Sequence, residues 1–239
     1  MINSETPVRE VAVQIPESTR LFERLNIDYC CGGNRALNVA CGSAGVEVND
    51  VIKMLTHLSQ SSASESTAID FQKLSLAELI NHILETHHVF TKSEMDRIRV
   101  LADKVAGVHG SNHPELQKVR DLFQRLCAEL EPHMFKEEQV LFPYIVAMEQ
   151  AGTERRPLPF APFGTVKNPV RMMTMEHDIA GEILRELREV TADYLVPADG
   201  CISYQTLYQA LEGFEKDLHQ HIHLENNILF PTAVEFETR

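Results

Sequence analysis

From Leu79 onward apolar residues recur at the helical interval, and no stretch of useful length alternates apolar with polar as a half-buried strand would. Leu79, Ile80, Ile83 and Leu84 form one apolar face behind Ser75-x-x-Glu78, a pairing in which serine and glutamate each satisfy a backbone N–H of the first turn. The pattern predicts a first helix from Ser75 to about Val105. A second starts near Pro114 and continues through Leu116, Leu122, Phe123, Leu126 and Leu130 to about Met148, with bends at Pro132 and Pro143. A third spans about Val170 to Tyr194, after Asn168-Pro169, and a fourth about Tyr204 to Glu235. Four long helices with short or irregular links predict a bundle. The link from Gln150 to Lys167, with Pro157, Pro159 and Pro162, reads as an excursion outside it.

The opening segment is built differently. Short helices are expected around Pro7 to Val13, Pro16 to Leu25 and Val48 to Leu58, punctuated by Pro16 and the pair Gly32-Gly33. Ser59 to Ser66, SQSSASES, holds a lone alanine as its apolar residue and reads as a flexible linker. The fold class expected is therefore all-α: a small helical N-terminal domain over residues 1–58, a serine-rich linker over 59–69 and a four-helix bundle over 70–239.

Composition narrows the function. With 239 residues, 44% hydrophobic and 24% charged, the chain can bury a substantial core without staples. A formal net charge of -13 argues against nucleic acid, whose phosphates require clustered Lys and Arg. No apolar run reaches the length of a membrane span, and the N-terminus lacks a basic stretch followed by an apolar one, so the expected location is the cytoplasm. Five cysteines, an odd number, read as thiols for metal or redox chemistry and not as a disulfide framework.

The informative residues are histidines and glutamates. His133 and Glu137 stand four apart, as do His221 and Glu225, so each pair lies on one helical face about 6 Å apart along the axis. One such pair is a weak signal, because a single histidine on an apolar face is more often a hydrogen-bonded core residue. Here the pair is repeated: His133, Glu137, Leu141, Phe142 and Pro143 recur 88 positions later as His221, Glu225, Leu229, Phe230 and Pro231. Counting back 45 from His133 reaches His88, and counting back 44 from His221 reaches His177. His87 could replace His88 by register alone, but these spacings favour His88. Imidazole nitrogen and carboxylate oxygen suit iron, and a carboxylate can bridge two metals, so the expected cofactor is a pair of non-haem Fe ions on His88, His133, Glu137, His177, His221 and Glu225. His82, His219 and His223 are read as neighbours of the site or as surface, and His57, His109 and His113 as surface.

These blocks resemble a known family. The H-x-x-x-E repeats ending in LFP are similar to the hemerythrin-like superfamily. Asp28-Tyr29-Cys30-Cys31-Gly32-Gly33 resembles the start of the iron-sulfur cluster repair di-iron proteins, the Repair of Iron Centres family of YtfE and ScdA type. The resemblance covers nearly the whole chain, and it implies the same six ligands around an oxo- and carboxylate-bridged di-iron centre. It also implies that Glu129 and Glu176 line the approach to the irons. The departures are the proline-rich insertion near Arg155 to Thr165, Pro132 next to a ligand, and Cys41.

The function implied is repair of iron-sulfur clusters damaged by nitrosative or oxidative stress, through supply of labile iron. The alternatives are reduction of nitric oxide to nitrous oxide at the di-iron centre, and reversible O2 or NO binding or sensing. Implied partners are damaged or apo iron-sulfur proteins, NO or O2 as small ligands and an unidentified electron donor; a homodimer is compatible. Cys30 and Cys31 are adjacent, which disfavours an unstrained disulfide between them. They are read as redox or transfer thiols left accessible by a tight Gly32-Gly33 turn. Cys127 and Cys201 have no partner pattern and are read as structural.

Overall fold

The computed structural model describes residues 2–65 and 69–238, and among them there is no strand beyond an isolated bridge between Pro7 and Ala36. The fold is all-α. The elements are α1 (Val8–Gln14), α2 (Ser18–Arg24), α3 (Leu37–Ser43), α4 (Val48–Glu65), α5 (Leu76–His82), α6 (Val89–His109), α7 (Glu115–Lys136), α8 (Phe142–Thr153), α9 (Lys167–Val190), α10 (Ile202–Leu224) and α11 (Phe230–Glu237). They form two compact units, Met1–Leu79 with His219–Arg239, and Ile80–Leu218, and the division falls inside α10.

Several helices begin where the sequence says they should. Ser75 and Glu78 form the reciprocal cap ahead of α5: the Ser75 N–H donates to Glu78 Oε2 at 2.8 Å, and the Glu78 N–H donates to Ser75 Oγ at 3.2 Å. α9 starts at Lys167, with Asn168 and Pro169 already in its first turn, where a missing N–H costs nothing. It stops at Val190, short of the expected Tyr194, because Ala192, Asp193 and Tyr194 all take left-handed backbone angles. α3 has no counterpart in the sequence reading. α4 continues to Glu65, over much of the serine-rich stretch, since Ser and Ala are tolerated in a helix and neither Gly nor Pro interrupts it. The rest of the expected linker includes residues 66–68, which lie outside the described residues.

The expected bends take another form. α7 runs through Pro132 without ending, giving up the backbone bond that a non-proline residue would donate to the Ala128 carbonyl. Ahead of Pro143 the helix widens into a π-helical turn, Glu137–Leu141, and ahead of Pro231 into another, Glu225–Leu229. Each proline then sits at the start of the next α-helix. A third π-helical turn, Ile83–His88, joins α5 to α6.

Within Ile80–Leu218 four helical rods pack side by side: the π-turn with α6, α7 running on through its π-turn into α8, α9, and α10 as far as Leu218. α7 packs against α6 and α9. α10 meets α7 through Phe123 and Phe214, whose ring centroids are 5.4 Å apart, and meets α9 through Arg188 and Glu215 at 2.5 Å. Val119, Phe123, Leu126, Ile183, Leu187 and Leu211 fill the interior. In the other unit Val8, Val11, Phe22, Leu37, Val51 and Leu55 make the core, and α1 packs on the π-turn Glu225–Leu229.

Candidate metal centre

Three of the four rods of Ile80–Leu218 bring a candidate ligand to one buried place. His88 ends the first π-turn, His133 lies in the last turn of α7, Glu137 opens the second π-turn and His177 sits midway along α9. All four are buried, with Glu137 wholly inaccessible. Glu137 Oε2 is 3.5 Å from His88 Nε2 and 3.4 Å from His133 Nε2, and the Nε2 atoms of His133 and His177 are 3.0 Å apart. Ligand atoms of His133, Glu137 and His177 all fall within 4.8 Å of one another. Three imidazoles and a carboxylate thus converge at a depth where an uncompensated carboxylate costs several kcal/mol, and a cation removes that cost. Nitrogen and oxygen donors without thiolate suit iron, manganese or zinc, so the residues fit a metal. His87, also buried, is turned elsewhere, with Nδ1 3.0 Å from Asp217.

The outward nitrogens are held as well. His88 Nδ1 is 2.8 Å from Glu138 Oε1, and His133 Nδ1 is 2.9 Å from Glu176 Oε2. Lys92 reaches Glu138 at 2.6 Å, and Lys136 is ion-paired with Glu176. Each imidazole is thereby fixed with Nε2 inward, the arrangement that orients metal-ligating histidines. Burial pushes Glu176 up, but hydrogen bonds and charge from His133 and Lys136 outweigh it and bring the carboxyl down to about 2. The same balance, through Lys92 and His88, lowers Glu138. Glu138, Lys92 and Lys136 were not singled out from the sequence; the Glu137-Glu138 doublet was a sign of the first. Glu129 is half-buried on α7, and its side chain makes no hydrogen bond or ion pair among the described residues.

In the unit Met1–Leu79 with His219–Arg239, His221 and Glu225 are also buried, with His221 Nε2 3.0 Å from Glu225 Oε1. The π-turn that Glu225 opens is tied to the cysteine pair. Asn227 Nδ2 donates to the Tyr29 carbonyl at 3.0 Å, and Asn226 Nδ2 lies 3.5 Å from the Cys30 carbonyl. The Asp28 carboxylate accepts the N–H groups of Cys30 and Cys31 at 3.2 and 3.0 Å. Gly33 is required, since a Cβ there would stand 2.6 Å from the Tyr29 oxygen. Neither cysteine is in a disulfide, and their sulfurs lie 3.7 Å apart. The turn is less open than the sequence reading expected: Cys30 and Gly33 are buried, and Cys31 is half-buried. Tyr29 beside it is buried too, and its ring meets those of His223 and His219 at 5.4 and 6.3 Å.

Comparison with known proteins places these features. Residues 79–233 match the hemerythrin HHE cation binding domain, and residues 4–59 match a domain of unknown function named ScdA_N. The chain is 36% identical to a probable iron-sulfur cluster repair protein of Haemophilus influenzae, over 97% of each chain. This chain belongs to the iron-sulfur cluster repair family. The family's YtfE protein of Pectobacterium carotovorum is 33% identical over 95% of this chain and 96% of its own. Its ScdA protein of Staphylococcus epidermidis is 28% identical over 96% and 98%. The cation-binding match spans all six candidate ligand positions, and the ScdA_N match spans the cysteine pair.

The remaining histidines and cysteines of this family member divide. Among the described residues no helix is long and apolar enough to cross a membrane. His57 is exposed, His82 is half-buried and faces Thr86 at 3.4 Å, and His219 is held by Glu23 at 2.8 Å. His223 is buried, and that burial brings its imidazole down to about 4. His109 and His113 are not plain surface residues. They are half-buried, with His109 Nε2 3.1 Å from Cys201 Sγ and His113 Nε2 3.0 Å from Asp199. Cys127 is inaccessible inside α7, whereas Cys201 is exposed and plays no part in a core.

Proposed function

We propose that this chain is a di-iron protein that restores iron-sulfur clusters damaged by nitrosative or oxidative stress, by supplying iron. The observation that carries the reading is the buried convergence of His88, His133, Glu137 and His177, set in a chain similar along its whole length to proteins named for cluster repair. His221 and Glu225, the sequence repeat of His133 and Glu137, complete the proposed set of four histidines and two glutamates. Together these residues would hold two irons, in the oxo- and carboxylate-bridged form that the family resemblance implies.

Iron held by such donors supplies a redox-active and exchangeable cation. The chain's own residues set how firmly it is held. Glu138 and Glu176 keep the Nδ1 protons of His88 and His133 and leave each Nε2 as the donor atom. Letting a metal go would require those imidazoles to take up a proton or another partner, and Lys92 and Lys136, paired with the same carboxylates, would oppose that protonation. Cys30 and Cys31 are proposed as transfer or redox thiols, tied to the π-turn that Glu225 opens. The proposed partners are damaged or apo iron-sulfur proteins, with NO or O2 as small ligands and an electron donor, in the cytoplasm. Residues 1–58 and 70–239 are proposed as the functional domains on either side of the serine-rich stretch.

The test is anaerobic mixing of the diferrous protein with an apo iron-sulfur protein, and separately with NO. Iron should move to the apo-protein and rebuild its cluster. Retention of all the iron, with nitrous oxide formed from NO, would replace the donor reading by a nitric oxide reductase. Glu137→Leu and Glu225→Leu should each lower iron content sharply from about two per chain, the number two glutamate bridges can serve. Wild-type iron in both would sink the ligand set.

A further inference from the structure

Within Ile80–Leu218 a second polar cluster is built from residues that the metal chemistry does not use. His109 closes α6, His113 precedes α7, Glu115 opens it, and Asp199 and Cys201 precede α10. Of the five cysteines Cys201 alone is exposed. Its Sγ lies 3.1 Å from His109 Nε2, and the backbone N–H groups of Ser203 and Tyr204 are directed at the same sulfur. Its carbonyl accepts the Gln205 N–H at 3.0 Å, so Cys201 caps the helix, where the first N–H groups have no partner within the helix. His113 is gripped on both sides, by Asp199 at Nε2 and Glu115 at Nδ1, each at 3.0 Å. The rings of His109 and His113 both stand nearly perpendicular to Tyr204, at 5.5 and 5.6 Å.

Three independent features favour a thiolate here: a helix N-terminus aimed at the sulfur, an imidazole in contact with it, and open solvent around it. The Tyr204 N–H and then His109 bring the Cys201 thiol down to about 7. Burial acts the other way on Cys127, pushing it up to about 11, and it raises Cys41 as well. Asp199 and Glu115 make the rim acidic in a chain of formal net charge -13, which favours a cationic reagent over an anionic one.

We propose that Cys201 is a modification site, a nucleophilic thiol served by His109 as proton acceptor, which takes small cationic disulfides into a mixed disulfide. The Cys201 proton passes to His109 Nε2, and the thiolate attacks one sulfur of the disulfide. A new S–S bond forms as the old one breaks. The departing thiolate takes the proton back from the imidazolium. Cys201 is oxidised and the released thiol is the reduced product, so no further oxidant enters.

The experiment uses the full-length, iron-loaded protein under argon, with cystamine as the disulfide, and maps adducts by mass spectrometry of peptides. The first adduct should form on Cys201, and Cys201→Ser should lack it. His109→Gln, and His109→Asn as a second variant, should react about threefold or more slowly at pH 7. Their rates should converge on wild type near pH 10, where the thiolate forms unaided. The titratable and charged groups around the sulfur are His109, His113, Glu115, Asp199 and Tyr204; Asp199 and Glu115 raise His113 above the ordinary imidazole value, and burial raises Tyr204 above the ordinary phenol value. A first adduct on any other cysteine, or wild-type rates at pH 7 in both His109 variants, would overturn the proposal. Neither outcome bears on iron content, which tests the metal site separately.

Discussion

Glu138 and Glu176 each hold one imidazole by Nδ1, and each is itself clamped by a lysine. Removing the charge without the shape is therefore informative: Glu138→Gln and Glu176→Gln should each weaken iron binding by about 10- to 100-fold, measured by competition with a chelator, at unchanged helicity. Glu129→Gln should leave affinity at the wild-type value, since that side chain makes no hydrogen bond or ion pair among the described residues. Equal weakening by all three substitutions would mean that acidity alone matters and not contact with the imidazoles. At Gly33 the constraint is steric. Gly33→Ala must move the backbone of Tyr29 or its own, and should destabilise the protein by about 1–3 kcal/mol in urea titration.

At the scale of the element, Pro143 and Pro231 lack the N–H that would bond the carbonyls of Gln139 and Asn227, and their rings crowd those carbonyls. The π-turn just before each proline relieves both, and it starts at Glu137 or Glu225. A π-turn also rotates the helix face by the width of an extra residue, so the glutamate and the helix beyond it point differently than α-helical spacing implies. Pro132 has no such turn. Replacing exposed Pro132 with alanine should restore a backbone bond and stabilise the protein by about 2 kcal/mol, seen as a higher urea midpoint with unchanged iron content. A lower midpoint would show that proline at this position supports the ligand turn.

At the scale of the whole molecule, residues 219–239 belong to the same compact unit as the N-terminal segment, whereas the four packed rods of Ile80–Leu218 form the other. Deleting residues 1–60 removes Tyr29 and Cys30, whose carbonyls accept from Asn227 and Asn226, and strips α1 from the π-turn at Glu225. The shortened protein should keep its helical signal per residue in circular dichroism, while chelator-driven iron loss becomes faster. Collapse of helicity would show that the rods of Ile80–Leu218 do not stand alone, and unchanged iron loss would show that the cover on Glu225 has no bearing on the metal.

The sequence by itself determined the all-α class, the reciprocal cap of Ser75 and Glu78 and the family, because helical periodicity, capping chemistry and a block repeated 88 residues apart are local or internal signals. It also marked His88, His133, Glu137 and His177 by spacing alone, and the structure gathers these four in Ile80–Leu218. Tertiary structure alone decided which carboxylate backs which histidine. Glu138 and Glu176 reach their partners across 50 and 43 positions of chain, separations over which a sequence carries no geometric information. The π-turns were hidden for a related reason: proline announces a missing bond, but only packing decides whether the helix kinks, continues as at Pro132 or widens as before Pro143. Cys201 was read as structural because its histidine lies 92 positions away, and nothing short of folding brings that imidazole to the sulfur.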